Sequence, residues 1–273
     1  MLIYTYDNTL EGFLSCVFEA YARKEHPEDI SCEQGMQYRI GQQLQEIHTI
    51  DDHWQRVRAG IHKKLGRMAW EKIRACFCAS TPGKEMILYR YLRKGFDTGA
   101  FALGDISHPD ILPVEELYRS VGMEQQRMVM FARFSKIPAG IYCATINPKH
   151  NVLPLIMSHF AGRFNVQPFI IFDEVHGIAG VSEHGQWFLS EADGMVFPEA
   201  ASDDLEYQEL WKTFYDAICI PERRNEKRRM GFMPKRLWKH LPEMHPPQSD
   251  HQMQGLLPQK SGAELVKAHI LNS

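Results

Sequence analysis

The sequence predicts an α+β fold, with amphipathic helices packed on a mostly antiparallel sheet. Through residues 1–127 apolar side chains recur at three- and four-residue spacing, the helical period. From 128 to 200 the pattern changes to short β-rich runs separated by turn residues. Helices therefore come early and strands late, whereas a doubly wound parallel sheet alternates them.

The elements follow in order. Leu2–Tyr6 reads as an N-terminal strand, and Asp7, Asn8 and Thr9 offer caps for a helix whose inner face is Leu10, Phe13, Leu14, Val17, Phe18 and Tyr21. His26-Pro27 stops it. A second helix is predicted over about 51–77, with Trp54, Val57, Ile61, Leu65, Met68, Ile73 and Cys76 inward. Thr81-Pro82 opens a third and His108-Pro109-Asp110 a fourth, running to about Arg127. A hairpin is predicted over 128–146, its strands flanking Lys136–Gly140. A helix over 151–164 leads to three strands within 168–190, the last two joined at Glu183-His184-Gly185-Gln186. Ser202, Asp203 and Asp204 cap a helix whose apolar stripe is Tyr207, Leu210, Trp211, Phe214, Tyr215 and Ile218. The expected organisation is one domain over 1–241, helix-rich to 127, sheet-rich to 200 and a helical basic segment to 241. A Pro-containing tail, 242–273, carries one short helix.

With 273 residues, 44% hydrophobic, 24% charged and a net charge of −3, the chain is neither collagen-like, low-complexity nor supercharged. No uncharged apolar run reaches the roughly 18 residues of a membrane span. The opening residues carry Asp7 and Glu11 and no basic run, unlike an export signal, so the expected location is cytoplasmic and the six cysteines are expected as free thiols. Neither G-x-x-x-x-G-K-[ST] nor a G-x-G-x-x-G after a strand occurs, and Gly180–Gly185 misses G-x-S-x-G by one residue. No motif asks for a cofactor or a metal.

The small net charge hides segregation. Residues 1–50 hold 3 basic and 8 acidic side chains, 51–100 hold 11 and 5, 151–200 hold 1 and 6, and 221–240 hold 8 and 2. The last of these is the notable one, because Arg is interleaved there with Met, Phe and Trp. Arg223, Arg224, Asn225, Arg228, Arg229, Lys235, Arg236 and Trp238 form a candidate grip on a nucleic-acid backbone: guanidinium forks match phosphate oxygens, and Phe232 and Trp238 offer rings to unpaired bases. The alternative is that the aromatics are core and the arginines pair with carboxylates. A second constellation is Arg133, His159, Arg163 and Asp173. Here His159 is a candidate general acid or base, Asp173 its catalytic companion, and the arginines hold phosphate. The alternative is a satisfied network with Arg133 on Asp173. Asp7, with Glu11 and His53, is more simply a helix cap.

Three segments carry a resemblance: YTYDNTLEGFLSCVFEAYARKE at the start, HPDILPVEELYRSVGMEQQRMVMFARFSKIPAGIYCATINPKHNVLPLIMSHFAGRF in the middle, and LWKTFYDAICIPERRNEKRRMGFMPKRLWKHLPEM near the end. They are similar to a bacterial family of DNA-metabolism or DNA-repair proteins built on a domain of unknown function. That family tends to be encoded beside a DNA-modification or repair radical-SAM protein, and a related domain is fused to uracil-DNA glycosylase-like proteins. Asn8, Ala132 and Leu237 depart from its pattern. The resemblance implies a DNA-associated accessory protein with a radical-SAM partner. An enzyme acting on DNA or a nucleotide and a protein-interaction scaffold are the alternatives.

Overall fold

The computed structural model describes residues 2–32, 41–194, 196–197, 201–218 and 225–245. Cys219, Arg223, Arg224 and the tail from 246 lie outside them. The α+β class holds, but in place of one mostly antiparallel sheet there are two, one all parallel around the N-terminal strand and one mixed. The chain divides into two compact units, Met1–Met123 and Glu124–Ser273, the division falling within a long helix.

In the first unit, β1 (Leu2–Tyr6) is the middle strand of an all-parallel sheet, between β2 (Asp29–Cys32) and β3 (Gln43–Glu46). Buried on both faces, β1 reads as a continuous apolar run, whereas β2 and β3 are short and polar and leave little trace in the sequence. Thr9 caps α1 (Leu10–Ala22) as expected, its hydroxyl accepting from the Gly12 amide at 2.9 Å. The second predicted helix is interrupted. α2 (Asp51–Gly60) runs into a π-helical turn at Ile61–Leu65, and Gly66, at φ +87°, takes a conformation that favours glycine before α3 (Arg67–Phe77) begins. Thr81-Pro82 lies in the turn ahead of α4 (Lys84–Thr98), whose buried Glu85 accepts the Tyr6 hydroxyl at 3.0 Å. Among the described residues, four of the basic side chains of this region are in ion pairs on or between helices: Arg56–Asp52, Arg67–Glu71, Arg74–Glu71 and Lys72–Glu115.

Helix α5 (Leu112–Phe131) carries the chain into the second unit. It overruns the predicted start of the hairpin, so Met128–Phe131 are helical and β4 is only Ser135–Lys136, paired antiparallel with β5 (Tyr142–Ile146). α6 (Leu153–Arg163) then returns the chain to β6 (Phe169–Asp173), parallel to β5. β7 (Ile178–Glu183) and β8 (Gln186–Glu191) complete a five-stranded sheet in chain order. His184 and Gly185, both at positive φ, make the two-residue turn that matches strand twist. One face of the sheet packs Cys143, Ile170, Phe172 and Ala179 against Ile137 and Ala192. On the other, Gly180 lies against Met157 of α6, and Phe134, Phe160, Phe164 and Phe169 form an aromatic cluster. α7 (Ser202–Ile218) is where the periodicity misleads: Tyr207, Leu210, Trp211 and Phe214 are exposed, not core.

Candidate nucleic-acid interface and a polar cluster at the strand ends

The parallel register of β5 and β6 sets Ile146 beside Asp173, so the loops leaving both strands emerge at one edge of the sheet. The carboxyl edge of parallel strands is a common place for sites. Asn147, Lys149 and His150 come from one loop, Asp173, Glu174 and His176 from the other. Glu124 of α5 joins them, as do Arg236, Lys239 and His240 of a 3-10 turn at Lys235–His240.

Each acid in this cluster is tied. Glu124 is 1% exposed and accepts from Arg236 Nη2 at 2.6 and 2.8 Å and from the Lys149 amide at 2.7 Å. Burial alone would raise its pKa; Arg236 and the Lys149 amide outweigh that and hold it below the ordinary carboxylate value. Glu174 accepts from Asn147 at 2.5 Å and sits 3.0 Å from His240, with Lys239 also on it; these partners overcome burial and pull its pKa down to about 2. Asp173, with no exposed surface, takes the amides of Val175 and His176 on one oxygen and the His176 ring Nδ1, at 2.7 Å, on the other. His150 is buried, and burial first, then the Lys149 charge, depress its pKa. Among the described residues no group of three or more His, Cys, Asp or Glu is placed to hold a metal ion.

The four residues expected to form a phosphate site are not brought together. Arg133 is not mid-strand: it lies in the link from α5 to β4, donates to Glu243 at 2.7 Å and to the Met130 carbonyl at 2.9 Å, and stacks its guanidinium 5.6 Å from the Trp211 ring centre. His159 and Arg163 project from α6 as exposed side chains, and His159 touches Phe160 edge-on. Asp173 bonds to neither Arg133 nor His159; its ring partner is His176, three residues on, in the turn between β6 and β7.

The basic segment divides into two sets. Asn225 is a helix cap, its carboxamide oxygen accepting from the Arg228 amide at 2.9 Å at the start of α8 (Glu226–Phe232). Arg229 pairs with Glu226 at 2.5 Å and lies 4.9 Å over the Trp238 ring, whose indole N–H donates to the Met233 carbonyl. Arg236 and Lys239 are held by Glu124 and Glu174. Buried Met233, Leu237 and Leu241 anchor the segment. Lys227, Arg228 and Lys235 form the second set: all exposed, none in an ion pair with another described residue.

A family model described as a domain of unknown function, DUF4130, matches residues 82–243. The chain belongs to that family. The DUF4130 span takes in the whole polar cluster and the described basic segment and leaves out the parallel sheet β1–β3. No curated protein and no solved structure matches the chain.

Proposed function

We propose that this DUF4130 protein is a nucleic-acid-binding accessory of DNA metabolism or repair. It grips its ligand through the basic segment, with Lys227, Arg228 and Lys235 on the phosphates, and works in the cytoplasm with a radical-SAM partner. One observation carries the binding reading: in a stretch where Arg229, Arg236 and Lys239 each have a carboxylate of their own, these three cations have none among the described residues and are exposed. Arg223 and Arg224 extend the same basic run in sequence. The DNA-metabolism role and the radical-SAM partner rest on the likeness of the three segments quoted above.

Three phosphate contacts release counterions enough to give a slope of log affinity against log salt of about −2.7 on duplex DNA and about −2.1 on a single strand. A labelled oligonucleotide titrated at rising salt should show a slope at least that steep. A flat line, or no binding, rejects the reading. Co-expression with a radical-SAM protein of the kind that the resemblance implies, taken from the same genome, followed by size-exclusion chromatography, tests the partner; separate elution rejects it.

The buried Asp173–His176 pair favours a second reading, an enzyme acting on DNA or a nucleotide. The Asp173 carboxyl at 2.7 Å from Nδ1 orients the His176 ring, the role a carboxylate plays beside a general base. In that reading His176, not His159, is the base. Labelled DNA that stays intact with wild-type protein, or is altered equally by His176→Asn, rejects it.

A further inference from the structure

The exposed face of α8 points to the form of nucleic acid this segment takes. Its exposed residues are Glu226, which pairs with Arg229, and Lys227, Arg228, Gly231 and Phe232, while Arg229 and Met230 are half-buried. Arg228 and Phe232 are four apart and so are neighbours on one helix face. Phe232 is 64% exposed. Gly231, next to it in sequence, faces open space: a Cβ built there would meet nothing within 4 Å. A glycine inside a helix costs about 1 kcal/mol relative to alanine, and here no packing requires it. An exposed phenylalanine alone means little. An exposed phenyl ring on the same helix face as a guanidinium that has no ion pair among the described residues, next to a position with no side chain, is a surface suited to a flat apolar group attached to an anion. Trp238, the other aromatic of the segment, is committed: its N–H is bonded to Met233, and Arg229 covers its ring.

We propose that α8 is a base-stacking platform for single-stranded nucleic acid, with Phe232 stacking on an unpaired base, Gly231 admitting it, and Arg228 holding the adjacent phosphate. This rests on the binding reading above and narrows it. In a duplex the base faces are stacked on one another, so the ring has nothing to meet unless the strand is opened. In a single strand every base presents a face.

The test is fluorescence anisotropy of a labelled oligothymidylate of about 16 nucleotides against a duplex of equal length, each at several salt concentrations. The single strand should bind more tightly than the duplex. Phe232→Ala should weaken single-strand binding by about 5- to 150-fold, the range for one stacked base, and leave the duplex affinity and the salt slope unchanged. Phe232→Trp should restore binding, with its fluorescence quenched by the oligonucleotide, where Phe232→Leu should not. Gly231→Leu, which improves the helix while filling that position, should reproduce the loss. Unchanged single-strand binding in Phe232→Ala and Gly231→Leu, with the salt slope intact, overturns the platform and leaves the phosphate grip standing. So does an equal loss on both ligands. Absence of salt-dependent binding by the wild-type protein overturns both.

Discussion

Arg236→Met should destabilise the second unit by about 3–5 kcal/mol, because it strands a carboxylate rather than a cation. The Glu124 side chain is 2% exposed, and Arg236 supplies two of its close contacts, at 2.6 and 2.8 Å. Without them the charge keeps the Lys149 amide at 2.7 Å and Arg127 at 3.5 Å and cannot reach water. Glu124→Gln should cost less, about 1.5–3 kcal/mol, the range for hydrogen bonds to a charged group. It leaves Arg236, which is 29% exposed and can turn toward solvent. Glu124→Gln combined with Arg236→Met removes both charges and should cost less than the sum of the two singles, with a coupling above about 1.5 kcal/mol. Chemical denaturation of the four proteins measures this. A cost for Arg236→Met below about 1 kcal/mol, or an additive cycle, refutes the assignment of Arg236 as a structural cation. Its charge being already matched, Arg236→Met should also leave the salt slope of nucleic-acid binding unchanged.

Stability should fall with acid in two steps. The folded pKa of His150 lies below its ordinary 6.5, so its contribution is whole above that value and lost as pH drops through and below it. Glu174, at about 2 instead of 4.5, contributes above 4.5 and loses that contribution between 4.5 and 2. Denaturation midpoints across pH 2–8 check this, and His150→Gln should remove the upper step. Gly180→Ala should cost about 1–3 kcal/mol in a thermal or chemical melt, because the new methyl would stand 2.3 Å from the sulfur of fully buried Met157. Cys76 and Cys143, buried with pKa values pushed up to about 12, should react with a thiol reagent only on unfolding, which a native-versus-denatured thiol titration reads directly.

What could be read from the sequence depended on whether the signal was local. The Thr9 cap, the β7–β8 turn and the α6 helix are set by neighbouring residues, and each formed where expected. β2 and β3 are too short and polar to show a period, and their pairing with β1 is a long-range fact. The stretch from 51 to 77 keeps a helical apolar pattern across Gly66, but the backbone does not. α7 shows the limit of periodicity: an apolar stripe predicts burial without naming what covers it. The same holds for the site. Arg236 is visible as part of a basic run, but that Glu124, 112 positions earlier, neutralises it follows only from the fold. The loops that carry His150 and His176 leave the same edge of the sheet because β5 and β6 are parallel neighbours, which no spacing in the chain announces.

The most direct measurement of the central claim is the salt dependence of oligonucleotide binding by a Lys227→Gln, Arg228→Gln, Lys235→Gln variant beside the wild-type chain. If these three cations, which have no carboxylate partner among the described residues, hold phosphates, the variant's slope should be shallower by about 2–3 and its affinity lower at every salt concentration. Parallel lines for the two proteins would place any binding elsewhere on the chain and contradict the account.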